Sequence, residues 1–130
     1  MTDDEFLAAF ETGTLPKPAW THQAHVRMAW LYLTRLTVEQ AVQKARVGIR
    51  AYNAAQGNQT GYHDTVTVAF VRLIASRLTA GEGLGAFLER NPDLLDRHRP
   101  PLLRHYSRDR LESAEARARF VEPDLLPLPE

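Results

Sequence analysis

The sequence predicts an all-α fold, a compact helical bundle, from three observations. Apolar residues recur at helical spacing through three long stretches, 21–36, 37–56 and 64–79. Capping residues or glycines mark the ends of these stretches, and no convincing alternating strand pattern is present. A short N-terminal helix and a proline-broken helical C-terminal third are expected to wrap around the three longer helices. The length predicts a single helical domain over residues 1–130.

Composition excludes several classes of function. The 130 residues include 16 basic and 16 acidic side chains, so a net charge of zero provides no overall field for nucleic acid or a membrane surface. Cysteine is absent, which excludes disulfides, thiolate catalysis and cysteine zinc sites. The acidic N-terminus does not have the pattern of a signal peptide, and the helices are too polar and short to span a bilayer. A cytoplasmic protein is therefore expected.

The N-terminal segment has clear start and stop signals. Thr2 and Glu5 have the spacing of a capping box, which predicts the start of a short first helix. Gly13 is expected to end that helix, and two prolines then keep the chain extended. Trp20 precedes Thr21, the expected N-cap of the next helix, and so occupies the position of a hydrophobic staple.

The three longer helices differ in how much of their surface is apolar. Helix 37–56 is expected to begin with a capping box led by Thr37 and to end at Gly57; its one-sided apolar stripe predicts a position on the outside of the core. Helices 21–36 and 64–79 are apolar on more faces, which predicts central positions or a subunit interface. We expect the C-terminal third to cover them, with a homodimer as an additional expectation.

The C-terminal third is expected to consist of short helical pieces. Helices are predicted at 84–90 and 92–97, followed by a last helix from the N-cap Ser107 to about Phe120. Three further prolines keep the apolar tail extended, so that it can pack along a surface. The locally basic segment 97–110 also contains acidic residues, and we interpret it as a solvated, salt-bridged surface.

Histidines stand where apolar residues are expected. At 100° per residue, His22 and His25 fall within about 40° of the centre of the inner stripe of helix 21–36. His63 projects inward at the start of helix 64–79. Short connections make consecutive helices antiparallel, so both N-termini should lie at one end of the bundle. The three rings are therefore expected to share one pocket, with ring nitrogens roughly 3–7 Å apart.

The preferred functional hypothesis is a histidine-lined pocket for a small molecule. Tyr62, Asp64 and Tyr52 are expected at the same end of the bundle as ligand-binding residues. Helix N-termini favour an anion over a divalent cation, and neutral imidazole is a general base near pH 7. We therefore expect a small anionic or carbonyl-bearing ligand, with the three histidines as catalytic residues.

Two alternatives remain open. His22, His25 and His63 could bind a divalent metal as a cofactor, or two of them could bind it together with Asp64. The histidine spacing differs from the zincin pattern. In the other alternative the chain is a non-catalytic helical interaction domain, because an inward histidine is most often a hydrogen-bonded core residue. The residues identify no substrate and do not decide whether the chain is an enzyme.

Four motifs are distributed along most of the chain. They are Trp20-Thr21-His22-x-Ala24-His25-x-Arg27-x-Ala29, Gly61-Tyr62-His63-Asp64-Thr65-Val66-Thr67, His105-Tyr106-Ser107 and Ala116-Arg117-x-x-Phe120-Val121-x-Pro123-Asp124-Leu125. With these motifs the chain resembles a family of small uncharacterised bacterial all-helical proteins. The resemblance implies that the motifs belong together, and it implies no activity. In that family the position of Asp64 is often glutamate, so this chain carries the carboxylate on a shorter side chain.

Overall fold

The computed structural model describes residues 1–97 and 100–129, and no strand occurs in those ranges. The α-helices are α1 (Asp3–Glu11), α2 (His22–Arg35), α3 (Val38–Ala55), α4 (Asp64–Ser76), α5 (Leu84–Arg90), α6 (Arg108–Leu111) and α7 (Ala114–Ala118). Short 3-10 helices lie at Lys17–Ala19, Pro92–Leu95 and Pro101–Arg104. The predicted all-α class is confirmed, with three longer helices, a short N-terminal helix and a helical C-terminal third broken at prolines.

The chain divides into two compact units, Met1–Tyr62 and the segment from His63 onward. The first unit contains α1, α2 and α3, and the second contains α4 to α7. A single domain over residues 1–130 stays a prediction.

The helices of the first unit begin at the predicted caps. The Thr2 hydroxyl accepts the backbone N–H of Glu5, whose carboxylate accepts the N–H of Thr2. Thr37 forms the same reciprocal pair with the residue three positions later. The Thr21 hydroxyl accepts the N–H of Ala24 at the start of α2. Each of these caps satisfies an N–H that lacks a partner within its helix.

Glycines end α1 and α3, as predicted. Gly13 and Gly57 have φ values of 74° and 76°, in the left-handed region where a side chain is strained. At Gly13 a Cβ would also lie 2.7 Å from Cβ of Ala55 on α3. The end of α1 and the end of α3 therefore lie close together.

The core of the first unit forms where α3 packs against α1 and α2. Phe10, Val26 and Ala45 are fully buried there. Gly48 allows close packing on α3, because a Cβ at this position would lie 2.6 Å from the Phe10 ring. Its place in the middle of a helix is thus explained by a neighbouring aromatic side chain and not by a turn.

Helix α4 is shorter than the predicted helix 64–79, because it ends at Ser76. Arg77 is its C-cap, and the Arg77 carbonyl accepts a hydrogen bond from the guanidinium of Arg90 (2.6 Å). This bond satisfies a terminal carbonyl without a further helical turn. The Arg77 guanidinium in turn binds both carboxylate oxygens of Asp93, at 2.7 and 2.9 Å.

The single helix predicted from Ser107 to about Phe120 is wrong. The chain instead forms α6 and α7, because Ser113 is a second N-cap: its hydroxyl accepts the N–H of Ala116 and donates to the carbonyl of Arg110. Serine competes with helical backbone bonds in this way. The predicted helix 92–97 is likewise a 3-10 helix that ends at residue 95.

Two predictions concern surfaces. Met28 and Leu31, part of the wide apolar arc of α2, are buried in the single chain, so neither needs a second subunit to cover it. In the basic segment 97–110, His98 and Arg99 lie outside the described residues. Among the residues that are described, no helix is long and apolar enough to cross a membrane.

Candidate functional site

His25 stacks on Trp20 at the start of α2. The two ring centroids are 3.9 Å apart, and the ring planes are inclined by 29°. Trp20 also stacks on Phe10 at 4.7 Å, and its ring centroid lies 5.3 Å from that of Tyr52. We call these four side chains, His25, Trp20, Phe10 and Tyr52, the Trp20 stack. They fix the imidazole against an apolar wall.

A hydrogen bond determines which nitrogen of His25 carries the proton. Nδ1 of His25 lies 2.7 Å from the carbonyl oxygen of Thr21. A carbonyl only accepts, so Nδ1 is the donor, and in the neutral ring the lone pair is on Nε2. Thr21 thus has two functions, because its hydroxyl caps the helix and its carbonyl orients the imidazole.

His22 lies beside His25, as the helical spacing predicted. It is the first residue of α2, and its ring centroid is 6.4 Å from that of His25, with the planes inclined by 38°. Both side chains are half-buried. Two of the three predicted catalytic histidines therefore form a pair at one helix N-terminus.

The two predicted ligand-binding tyrosines make different contacts. Tyr52 is buried, and its hydroxyl donates to the carbonyl of Leu15 at 2.8 Å. Burial raises the pKa of Tyr52, so this hydroxyl stays protonated at neutral pH. Tyr62 is half-buried, with the guanidinium carbon of Arg50 4.5 Å from its ring centroid. Tyr52 therefore holds the chain before α2 in place, and Tyr62 forms a cation–π pair.

His63 is the N-cap of α4, and both of its ring nitrogens form hydrogen bonds. Nδ1 accepts the backbone N–H of Val66 at 3.1 Å, and Nε2 donates to the carbonyl of Leu111 at 2.7 Å. These bonds assign the proton to Nε2 and the lone pair to Nδ1. Asp64 follows as the first residue of α4 and is buried, where a carboxylate is favoured by the helix dipole.

The predicted site residues belong to two units. His22, His25, Tyr52 and Tyr62 lie in the first, whereas His63 and the adjacent Asp64 lie in the second. A shared pocket for the three histidines stays a prediction. Within residues 1–97 and 100–129, no three His, Cys, Asp or Glu side chains are arranged to hold a metal ion. Either ring nitrogen of His63 would also have to give up its hydrogen bond before it could bind a metal ion, so the metal hypothesis gains no support.

Thr65 connects the Gly61–Thr67 motif to the C-terminal motif. Its hydroxyl is fully buried, donates to the carbonyl of Arg119 at 3.0 Å and accepts the N–H of Val121 at 3.1 Å. The spacing of residues around Thr65 predicts no such role for it. These bonds join residues more than fifty positions apart, which no local pattern reveals.

The His105-Tyr106-Ser107 motif holds the C-terminal tail. His105 donates from Nδ1 to the carbonyls of Leu126 and Pro127, at 3.2 and 3.0 Å. The Tyr106 hydroxyl, buried, donates to the carbonyl of Val121, and burial raises the pKa of this hydroxyl to about 12. The predicted packing of the extended tail along a surface is therefore mediated by hydrogen bonds to its backbone.

Ser107 completes this attachment of the tail. Its backbone N–H and its hydroxyl donate to the two carboxylate oxygens of Asp124, at 2.8 and 2.6 Å. These bonds hold the pKa of Asp124 below its usual value. Three of the four sequence motifs are thus joined by hydrogen bonds in the second unit.

An open cavity of about 400 Å³ lies along another side of the first turns of α2. Its walls include Phe6, Leu15, Thr21 and Arg27. The guanidinium carbon of Arg27 lies 4.5 Å from the centroid of the Phe6 ring, and the same group binds Asp3 at 2.8 Å. A guanidinium paired with Asp3 and the first turn of α2 therefore meet at this cavity, which neither histidine of the pair lines.

The chain matches no protein-family model, no curated protein and no solved structure in the three comparisons made. The resemblance to small bacterial helical proteins consequently stays a prediction. The residues that point to a function are the fixed imidazole of His25 and the bonded imidazoles of His63 and His105.

Proposed function

We propose that the chain binds a small anionic or carbonyl-bearing molecule at the N-terminal end of α2 and acts on it by general acid–base chemistry, with His25 as the base. The observation that supports this most is the orientation of the His25 ring. Trp20 covers one face of the ring, and the Thr21 carbonyl binds Nδ1–H. A base oriented by a second group in this way is a recurrent feature of acid–base sites.

The local electrostatics favour a negatively charged ligand. α2 is 14 residues long, and its partial positive charge is concentrated at the end where His22 and His25 lie. An anion or the oxygen of a polarised carbonyl is stabilised by this field, whereas a divalent cation is opposed by it. His22, the second imidazole, is close enough to donate a proton to a ligand that His25 contacts.

The test uses imidazole resonances, because they report on each histidine separately. Acetate, inorganic phosphate and pyruvate are added to the full chain, with acetone as a neutral carbonyl control, and the ring 1H and 15N signals are followed by NMR. We expect the anions to shift the signals of His22 and His25 and to leave those of His105 in place. If none of the probes shifts either ring at millimolar concentration, the binding proposal is wrong.

A second measurement tests for chemistry. Pyruvate in D₂O exchanges its methyl protons when a base removes one of them, and the loss of the methyl signal measures the rate. We expect exchange above the rate in buffer with the natural chain. His25→Asn should abolish the excess, because an asparagine amide can still donate to the Thr21 carbonyl but has no basic Nε2. Binding without exchange would keep the ligand site and reject the base.

One observation favours the alternative in which the histidines have only a structural role. His63 and His105 both use ring nitrogens to bind backbone carbonyls of the C-terminal third, and these are roles of a purely structural histidine. In that case His25 would serve only to hold the segment before α2. The alternative predicts that His25→Asn, which keeps the Thr21 bond but loses the ring stack on Trp20, lowers the unfolding free energy and changes no ligand response.

A further inference from the structure

A second cavity in the first unit, about 270 Å³, has walls of mixed charge. One wall is a single stripe of α1 at positions i, i+3, i+4 and i+7, namely Asp4, Leu7, Ala8 and Glu11. The other walls include Tyr32 and Arg35 from the last turn of α2 and Lys44 from α3. The cavity lies toward the C-terminal end of α2, whereas the histidine pair lies at its N-terminal end, so the two sites are separate.

Glu11 is held in position on this wall. The hydroxyl of Tyr32, which is 4 % exposed, donates to Oε2 of Glu11 at 2.6 Å. Burial and the adjacent carboxylate raise the pKa of Tyr32, so its hydroxyl remains a donor at any working pH. A carboxylate can accept several hydrogen bonds, and the tyrosine therefore orients Glu11 without using its full capacity.

The opposite charge is also present in the cavity. Arg35 binds Asp4 at 2.9 Å, but both side chains are substantially exposed, at 45 % and 84 %, so the pair is weak. Lys44 lines the same cavity from α3, on a long and flexible side chain. A ligand in the cavity would meet a fixed carboxylate and a mobile ammonium group.

The charged cavity continues into an apolar groove. A second depression of about 580 Å³ runs along α3 and shares Leu36 and Lys44 with the first. Val47, 66 % exposed, lies in this groove. An aliphatic group that passes Leu36 would therefore cover apolar surface that is otherwise in water.

We propose that this cavity binds a free α-amino acid with an aliphatic side chain. The ammonium group would lie on Glu11, the carboxylate on Lys44, and the side chain over Leu36 toward Val47. A simple anion would be repelled by the Glu11 carboxylate, and a simple cation would be repelled by the Lys44 ammonium group. A zwitterion can place a group of opposite charge against each of them. The site rests on α1, α2 and α3 alone and does not depend on the function proposed above.

The test is a titration of the full chain with L-leucine, followed through backbone amide NMR signals. Leucine should shift signals of α1, of the last turn of α2 and of α3. Isocaproate lacks the amine, isoamylamine lacks the carboxylate and glycine lacks the side chain, and each should bind roughly fivefold or more weakly, the loss of about 1 kcal/mol. Absence of shifts with leucine would overturn the site.

Variants separate the contributions of the walls. Lys44→Met and Glu11→Gln should each weaken leucine binding roughly fivefold or more. The glutamine still accepts the Tyr32 hydrogen bond, so the cavity keeps its shape. The control is Lys17→Met, at the second lysine of the sequence, which is exposed like Lys44 but does not line the cavity. This variant should bind leucine as the natural sequence does. If isocaproate or isoamylamine binds as tightly as leucine, recognition of a zwitterion is wrong; if glycine does, the aliphatic specificity is wrong.

Discussion

Nε2 of His63 donates to the carbonyl oxygen of Leu111 at 2.7 Å, while Nδ1 of the same ring caps the helix that follows. One side chain thus joins the start of α4 to the C-terminal third of the chain. The cap bond is impossible for a doubly protonated ring, because Nδ1 must accept the N–H of Val66, whereas the bond from Nε2 to Leu111 needs only a proton on Nε2.

His63→Ala is expected to destabilise the protein by roughly 2 kcal/mol. About half of this loss comes from the N-cap, and the remainder from the bond to Leu111. His63→Asn should recover the cap contribution alone, because asparagine is a good N-cap but is too short to reach residue 111. Urea unfolding measures both values. An alanine variant as stable as the natural chain would show that these bonds are unimportant.

His25, His63 and His105 should differ in tautomer. The structure gives Nδ1–H for His25 and His105, and Nε2–H for His63. Long-range 1H–15N correlation spectra at pH 8 distinguish the two forms directly, because protonated and unprotonated ring nitrogens have different 15N shifts. Finding Nε2–H at His25 would contradict both its bond to Thr21 and its proposed role as a base.

Removal of the Thr65 hydroxyl is expected to cost roughly 1–3 kcal/mol. Thr65→Val keeps the shape of the side chain but leaves the carbonyl of Arg119 and the buried N–H of Val121 without this partner. Thr34→Val is a matched control, because Thr34 is exposed and its hydroxyl bonds only to its own helix. Equal unfolding free energies for the two variants would contradict the importance of Thr65.

Attachment of the C-terminal tail should depend on pH through Asp124. Its pKa is lowered in the folded chain by the two bonds from Ser107, so the folded state binds this proton less readily than the unfolded state. The resulting stabilisation is present above the unfolded pKa, about 3.9, and is lost as the pH falls through the lower folded value. The difference in stability between the natural chain and Asp124→Asn should be largest near neutrality and vanish in acid.

Chemical denaturation at a series of pH values measures this difference. Asp109→Asn is the control, because Asp109 is exposed and lies in the same part of the chain. A difference for Asp124→Asn that stayed constant from neutral pH into acid would show that the Asp124 carboxylate does not hold the tail.

Two helical glycines should respond in opposite directions to alanine. At Gly48 a Cβ would lie 2.6 Å from the Phe10 ring, so Gly48→Ala should cost roughly 1–3 kcal/mol through overpacking. At Gly85, in α5, no atom lies within 4 Å of the added Cβ, and Gly85→Ala should stabilise by about 0.5–1 kcal/mol. Thermal unfolding of both variants checks the sign of each change.

The sequence predicted the features that depend on residues three or four positions apart. The capping boxes of Thr2 and Thr37 are of this kind, as is the histidine pair of α2. Ser113 shows the limit of this reasoning, because apolar spacing alone could not reveal that a serine cap would divide the last helix. Local patterns therefore gave most of the fold and only part of the candidate site.

The features that the sequence did not predict depend on contacts between residues far apart in the chain. The partners of Thr65 and His63 lie on segments that approach only after folding. The cavity beside Glu11 likewise combines three helices, and no spacing along the chain predicts that Tyr32 and Lys44 line it together. The sequence identified residues that can take part in binding or catalysis, but not the residues that contact them.

The contact between Gly48 and Phe10 also constrains how this sequence can diverge. A larger residue at position 48 requires space that the ring of Phe10 now fills. A substitution at position 48 is therefore tolerated only after, or together with, the replacement of Phe10 by a smaller side chain. Among relatives that share this packing, the two positions are expected to vary as a pair. A glycine on α3 would then accompany an aromatic residue on α1, and an alanine would accompany a leucine or a valine.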